Sequence, residues 1–328
     1  MPKQKRRVIR IFYADAMSYT PLAPGETALA DALGCELRPT RCSFLSDLIV
    51  SRSLSQIRGY VGWRRGRHLV WTHEPRHDIT GQSVVRQGRK DIHIMNLYTG
   101  DVYLDNYYYL RPALRQITGD LTGFPKHKDK LCCIVAGYGV RDQKLPPPAF
   151  DLTRIRCEWA LRGNETGQCD VYGGHWPDGV SIKENRDGEW YNTKKDLLRP
   201  YRFSISPENT NSALYVTEKI WDSIENVCLP IYHGGRPSAI YQDFPEGSFV
   251  DLKDFSEPDE LFSALEAMSE AEWTERMNTC LRVMRELCAR YRETNTQQKA
   301  VDALAARIRR ILGIPPVPSP DGTADERG

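Results

Sequence analysis

YRFSISPENTNSALYVTEKIWDSIENVCLPIYHGGRPSAIYQDFPEGSFVDLKDF, residues 201–255, is the stretch whose reading decides the fold. It opens on a strand-like run, YRFSIS (201–206), and breaks at the turn Pro207-Glu208-Asn209-Thr210-Asn211-Ser212. Tyr215-Val216-Thr217-Glu218-Lys219 then leads into a helical pattern over 217–227, with Ile220, Ile224 and Val227 spaced for packing. Thr217 is a favourable N-cap residue, and a helix N-terminus offers unpaired N–H groups and partial positive charge. Such an end after a strand is an anion site, suited to a diphosphate. Lys219 adds a full cation in the first turn, where helix electrostatics prefers an anion; a phosphate ligand resolves that conflict. Glu218 beside it is suited to accept hydrogen bonds from ribose or sugar hydroxyls. A capped surface helix with a local Glu–Lys pair fits these residues too.

Outward from this segment, short apolar runs rich in β-branched residues recur. They are VIRIFYA (8–14), HLVW (68–71), IHIMNLY (92–98), LCCIVAGY (131–138), CDVYG (169–173), LPIYHG (229–234) and GSFVDL (247–252). Helical patterns at 153–162 and 217–227 lie between them, and strands alternating with helices predict βαβ units and parallel sheets. From 256 onward the pattern is helical, until PPVPSPDGTADERG, which has too little apolar content to fold. The expected organisation is an α/β chain with domains at 1–125 and 126–290, a C-terminal helix at 291–312 and a disordered tail at 313–328.

The 328 residues carry 45 Lys+Arg against 43 Asp+Glu, a net charge of +2, which argues against a dedicated nucleic-acid binder. Forty per cent hydrophobic residues suffice for a sizeable core, and the length favours two domains. No apolar run approaches the ~18 residues of a membrane span. The N-terminal MPKQKRRVIRIFYADAM lacks the apolar stretch of a signal peptide, so the expected location is cytoplasmic, with the nine cysteines reduced. None of them forms a CxxC pair. Cys132 and Cys133 are adjacent in a strand and point to opposite faces, while Cys280 and Cys288 fall on one helix face.

Three apparent motifs carry less. His73-Glu74-Pro75-Arg76-His77 matches HExxH, but zinc chemistry needs both histidines on one helix face, and Pro75 breaks such a helix at a cost of ~3 kcal/mol. Gly137-Tyr138-Gly139 and Gly173-Gly174 follow strands without the spacing of a dinucleotide fingerprint; they are plain turns or places where backbone approaches a ligand. Basic clusters occur at Lys3–Arg10, at Arg64-Arg65-Gly66-Arg67-His68 and at Arg307-Ile308-Arg309-Arg310. The last lies on an amphipathic pattern suited either to a solvated face or to peripheral contact with an anionic membrane surface.

Taken whole, 201–255 resembles the donor signature of the α-1,3/4-fucosyltransferases. That signature has a strand ending in FEN, then YVTEK opening a helix, a strand reading P-[IV]-x-x-G, and SF[VI]-x-x-x-D-F. The corresponding residues are Pro207-Glu208-Asn209, Tyr215 through Lys219, Pro230 to Gly234, and Ser248-Phe249-Val250 ending in Asp254-Phe255. Pro207 stands where the family has an aromatic residue. The resemblance implies a GT-B fold of two facing Rossmann-like domains with C-terminal helices, the first on the acceptor side and the second binding donor. It implies inverting transfer of L-fucose from GDP-β-L-fucose to a glycan hydroxyl, α-1,3 to GlcNAc or Glc, with an oligosaccharide or lipid-linked glycan as acceptor. Asn209, Tyr215, Glu218 and Lys219 become donor-binding positions, and Thr217 joins them through the helix end that it caps.

Upstream, KLCCIVAGYGV is similar to a family strand, with Gly137 in place of asparagine. Arg154-Ile155-Arg156 resembles its arginine-bearing helix, so Arg154 matches the diphosphate-binding arginine and Arg156 stands in reserve. Trp71-Thr72-His73-Glu74-Pro75 looks like the family's acidic loop, which makes Glu74 the catalytic base, with Asp78 as the next acidic candidate. GDP is an anionic leaving group and needs no general acid if fixed positive groups stabilise it. No DxD clamp lies in the donor segment, so neither a metal nor another cofactor is expected to be required. Two other readings remain: a transferase using another GDP-deoxyhexose in surface-polysaccharide assembly, and a non-catalytic nucleotide-sugar-binding protein.

Overall fold

The structure is a computed structural model that describes residues 6–18, 20–62, 66–105, 110, 119–140, 143–183 and 190–315. The basic residues 3–5 and 64–65, and most of the expected tail at 313–328, lie outside the described residues. The chain divides into two compact units, Met1–Leu104 with Thr296–Gly328, and Asp105–Asn295. This division differs from the expected boundary at 125, and it returns the last helix to the first unit.

The first unit is built on β1 (Arg7–Tyr13), α1 (Ala28–Leu33), β2 (Cys35–Pro39), β3 (Leu48–Ser51), α2 (Leu54–Arg58), β4 (Arg67–Trp71), β5 (Val84–Gln87) and β6 (Lys90–Met95). The sheet order is β2-β1-β3-β4-β6-β5, parallel except for the antiparallel edge pair β5·β6. Its parallel part has the doubly wound order 2-1-3-4-5. All four residues of β3 are buried, as expected of a strand covered on both faces. Sequence reading overlooked β2, β3 and β5, which are short and lack a clean period.

The second unit contains β7 (Lys130–Val135), β8 (Phe150–Asp151), α3 (Thr153–Glu165), β9 (Cys169–Tyr172), β10 (Ser181–Lys183), α4 (Trp190–Leu198) and β11 (Tyr201–Ile205). It continues with β12 (Thr210–Asn211), α5 (Glu218–Glu225), β13 (Leu229–Tyr232), β14 (Val250–Asp251), α6 (Pro258–Ala267) and α7 (Glu270–Thr294). The six strands of its main sheet are parallel, in the order β10-β9-β7-β11-β13-β14. Counted along the chain this is 3-2-1-4-5-6, the Rossmann order. Cys132 joins the main core with Phe203, Ile220, Ile224 and Trp273, while Cys133 packs on the other face with Leu198 and Cys228. Cys280 and Cys288 both border that main core, and all nine cysteines are free thiols.

Helix α5 ends sooner than its periodicity predicts. Val227 lies beyond the C-cap Asn226, at φ 58, so only Ile220 and Ile224 of the expected stripe pack from the helix. Helix α7 starts on a capping serine, with Ser269 accepting from the Glu272 amide, and ends where Asn295 takes φ 46. The chain then enters α8 (Thr296–Leu312), which packs on α1 in the first unit. There Arg307 pairs with Asp101 at 2.5 Å and Arg309 donates to the Ala32 carbonyl at 2.8 Å. Two of the three arginines expected on a basic face are therefore engaged within the unit. Among the described residues no helix is long and apolar enough to cross a membrane.

Candidate functional site

In an open parallel sheet, ligands bind outside the carboxyl ends of the strands where the strand order reverses. In the second unit that point lies between β7 and β11. The loop after β7 is Ala136–Gly139, and the loop after β11 is Ser206–Asn209. They meet at the start of α3. The Leu152 amide donates to the Asn209 carbonyl at 2.9 Å, and the short antiparallel pair β8·β12 aligns Asp151 with Thr210. Gly139 donates to Cys157 Sγ, and a Cβ on it would come 2.6 Å from Thr153 Cγ2. Glycine is needed there because the loop lies directly on the helix. The neighbouring loop after β9 is tied in by Tyr138 N to Gly174 O at 3.0 Å.

Glu208 occupies the centre of the β11 loop and is 2% exposed. Its Oε1 accepts from the Thr217 amide at 2.6 Å and from the Tyr232 hydroxyl at 3.1 Å. Its Oε2 accepts from Thr217 Oγ1 at 2.6 Å and from Lys219 Nζ at 3.0 Å. This arrangement corrects two sequence expectations. Thr217 occupies the N-cap position but makes no capping hydrogen bond to the helix, because its hydroxyl is turned to Glu208. The first-turn cation of Lys219 is already balanced by Glu208, so it does not by itself require a phosphate. Sequence reading passed over Glu208 as a functional position, although it stands in the quoted turn; its partners lie nine, eleven and 24 residues away.

The other positions expected to bind donor are Tyr215, Asn209 and Glu218. Tyr215 is buried at 1% exposure, its amide donating to the Ser212 carbonyl at 3.2 Å. Asn209 contributes its backbone carbonyl to the start of α3, accepting from Leu152 N and Thr153 Oγ1. Glu218 keeps 43% of its side chain open, 3.7 Å from Lys219 Nζ. Burial raises its carboxyl, but Lys219 and Lys194 outweigh that and hold it at about 2. Lys194 pairs with Asp222 at 2.5 Å, one turn further along α5. Three carboxylates thus meet two ammonium groups around this helix entry, so a diphosphate here needs a further cation beside Lys219.

The two arginines of α3 separate sharply. Arg154 is exposed and pairs with Glu158 at 2.6 Å along the helix. Arg156 is 6% exposed, reaches the Pro207 carbonyl through Nη1 at 3.4 Å, and has a buried Nε with no hydrogen-bond partner. An unsatisfied buried guanidinium nitrogen costs energy unless something arrives to accept from it. The reserve candidate, not Arg154, is therefore the one brought to the β11 loop.

In the first unit Glu74 follows the carboxyl end of β4 and precedes the single 3-10 turn Pro75–His77. The histidines of the HExxH match are therefore not on a helix. Glu74 lies 3.6 Å from Arg76, its side chain 25% exposed. Burial lowers the His77 pKa, with Glu74 opposing that effect. Asp78 is 1% exposed and is occupied by Thr80 and Asn96, which suits it to a structural role. Asp15, after β1, accepts from Ser51 Oγ and the Arg52 amide at 3.0 Å each, at the switch point of this sheet. Nothing in the spacing of Asp15 and Arg52 signals that contact. Among the described residues no group of three or more His, Cys, Asp or Glu side chains is placed to hold a metal ion.

The model of the glycosyltransferase family 10 (fucosyltransferase) C-terminal domain matches residues 164–306. Over 67 residues, 20% of this chain and 14% of the relative, the sequence is 43% identical to an α-(1,3)-fucosyltransferase, FucT, of Helicobacter pylori. Over 99 residues, 30% of this chain and 24% of the relative, it is 31% identical to an α-(1,4)-fucosyltransferase of Arabidopsis thaliana. The matched stretches span less than a quarter of either relative's length. A crystal structure of an α1,3-fucosyltransferase with GDP-fucose aligns with 84% of this chain and 83% of its own, at 18% identity and a TM-score of 0.44. Residues 164–306, which include Glu208 and the entry to α5, are thus the part of the chain that is similar to glycosyltransferase family 10, the fucosyltransferase family.

Proposed function

We propose that the chain is an inverting fucosyltransferase that moves L-fucose from GDP-β-L-fucose to a hydroxyl of a glycan acceptor, with O3 of GlcNAc or Glc as the favoured position. The observation that carries this reading is Arg156. Its guanidinium is buried with an unpartnered Nε at the switch point of a Rossmann-ordered sheet, beside the family's YVTEK entry to α5. Arg156 and Lys219 are the fixed positive groups for the leaving diphosphate. Charge that develops on the β-phosphate as the glycosidic bond breaks meets cations already oriented, which is the most effective electrostatic catalysis. Glu218, ionised throughout the physiological range, accepts from ribose hydroxyls.

Inversion needs one base for the acceptor hydroxyl's proton. Glu74 is our candidate, supported by the acidic-loop resemblance and by its place at the carboxyl end of a parallel strand. The acceptor oxygen attacks the anomeric carbon as the bond to the diphosphate breaks, and the hydroxyl proton passes to the Glu74 carboxylate. The deciding measurement offers labelled GDP-fucose, other GDP-deoxyhexoses and UDP-sugars with a panel of glycan acceptors. Transfer of fucose with inverted anomeric configuration is the expected result. Transfer from UDP-sugars alone, or GDP-fucose binding without turnover on any acceptor, overturns it.

A further inference from the structure

We propose that Glu208 is a positioning residue of the donor site: its buried carboxylate fixes the Lys219 ammonium and the entry of α5 in the geometry that meets the diphosphate. This rests on the donor-site reading above. A carboxylate offers about four acceptor positions on its two oxygens. Here four donors fill them: the Thr217 amide, Thr217 Oγ1, Lys219 Nζ and Tyr232 OH. At 2% exposure with that complement, Glu208 has no capacity left to contact a sugar or nucleotide itself. It acts through what it holds.

What it holds is costly to hold otherwise. Lysine has a flexible four-carbon stem, and ordering it on ligand arrival subtracts from binding. Lys219 is ordered in advance, its Nζ 3.0 Å from Glu208 and 2.8 Å from Thr217 Oγ1. The same carboxylate anchors the Thr217 amide while Thr217 stays in extended conformation at φ −100, ψ −166, which sets where α5 begins. Tyr232, from β13, braces Oε1 from the sheet side. An apolar side chain would fill this space without the penalty of burying a charge, so the ionic arrangement is explained by the orientation it gives Lys219.

The test is a double-mutant cycle read by calorimetric GDP titration and thermal melts of the full chain: wild type, Glu208→Gln, Lys219→Met and the double variant. Glu208→Gln should weaken GDP binding roughly 10-fold when Lys219 is present and by less than about 2-fold when Lys219 is Met. In steady state it should raise the KM for GDP-fucose more than it lowers kcat. Equal GDP affinity in Glu208→Gln and wild type, or the same loss in both backgrounds, overturns the proposal while leaving the donor site intact. Absence of GDP binding by wild type instead overturns the donor-site reading, and this proposal with it. Should Glu208→Gln not fold, Tyr232→Phe removes one of the four donors; a roughly 3-fold Lys219-dependent loss supports the proposal, and unchanged affinity overturns it.

Discussion

Lys219 Nζ lies 3.0 Å from Glu208 Oε2, with 18% of the lysine side chain and 3% of the glutamate side chain exposed. A first-turn lysine is electrostatically misplaced on an isolated helix, yet here it is half of a shielded internal pair. On the proposed donor-site reading the residue has two functions, one in holding the fold and one in meeting an anion, and mutation should affect both.

Lys219→Ala should lower stability as well as GDP affinity. Removing one partner of a buried pair costs ~3–5 kcal/mol, and the donors that remain on Glu208 keep the loss near ~3 kcal/mol. At ~2–4 °C per kcal/mol for a unit of this size, the melting temperature should drop by about 6–12 °C. Calorimetry on the ligand-free protein checks it; an unchanged melting temperature contradicts the pair.

The two arginines of α3 should behave oppositely. A charge-assisted hydrogen bond is worth ~1.5–3 kcal/mol, so Arg156→Ala should weaken GDP binding by about 10- to 100-fold. Arg154→Ala removes an exposed intrahelical pair, worth ~0.3–0.5 kcal/mol of stability, and should leave GDP affinity within about 2-fold. Titration of both variants decides it, and a reversed order would return the diphosphate to Arg154.

Glu74→Gln tests the base. It preserves size but cannot take a proton, so kcat should fall by about 10²–10⁴-fold. GDP affinity should be unaffected, because Glu74 belongs to the first unit and Glu208 and Lys219 to the second. Wild-type turnover should decline at acid pH as the carboxylate protonates, and the variant should lack that limb. Near-normal turnover in the variant removes Glu74 from the mechanism.

The carboxyl of Glu218 predicts an acid-linked loss of stability. Its folded value of about 2 lies below that of an unfolded glutamate. A depressed carboxyl contributes stability that is fully present above about pH 4.5 and disappears as pH falls toward 2. The side chain is 43% open, so solvent screening limits the contribution to ~1 kcal/mol or less. Glu218→Gln should therefore show a melting temperature that falls ~2–4 °C less than wild type between pH 4.5 and 2. Parallel curves would mean that the Glu218 charge is not coupled to Lys219 and Lys194.

Chelation should leave transfer largely intact. On the proposed reading Arg156 and Lys219 supply the positive charge, and His73 and His77 are not arranged on one helix face. Activity lost on dialysis against EDTA and restored by manganese or zinc would assign that charge to a metal.

Much of this molecule was legible in one dimension. Strand and helix periods marked eight of the parallel strands, because a buried parallel strand leaves a continuous apolar run and a packed helix leaves a 3.6-residue stripe. Of the strands missed, CELRP of β2 is largely exposed, the two-residue β8 and β12 exist only through their mutual pairing, and β3 is apolar but only four residues long. The donor segment was legible because its blocks stand in fixed order along the chain.

By itself the sequence determined the α/β class, the helical C-terminal part and the segment shared with the fucosyltransferases, since those depend on local pattern and chain order. Only the tertiary structure decided which arginine points inward. Arg154 and Arg156 are separated by about 200° around the helix, so burial of one face through Cys157 and Ala160 must send them to different environments. It alone also brought Glu208 to Thr217, Lys219 and Tyr232, and carried α8 back to the first unit. Those contacts are set by which surfaces exclude water once loops close, and a spacing along the chain does not record that.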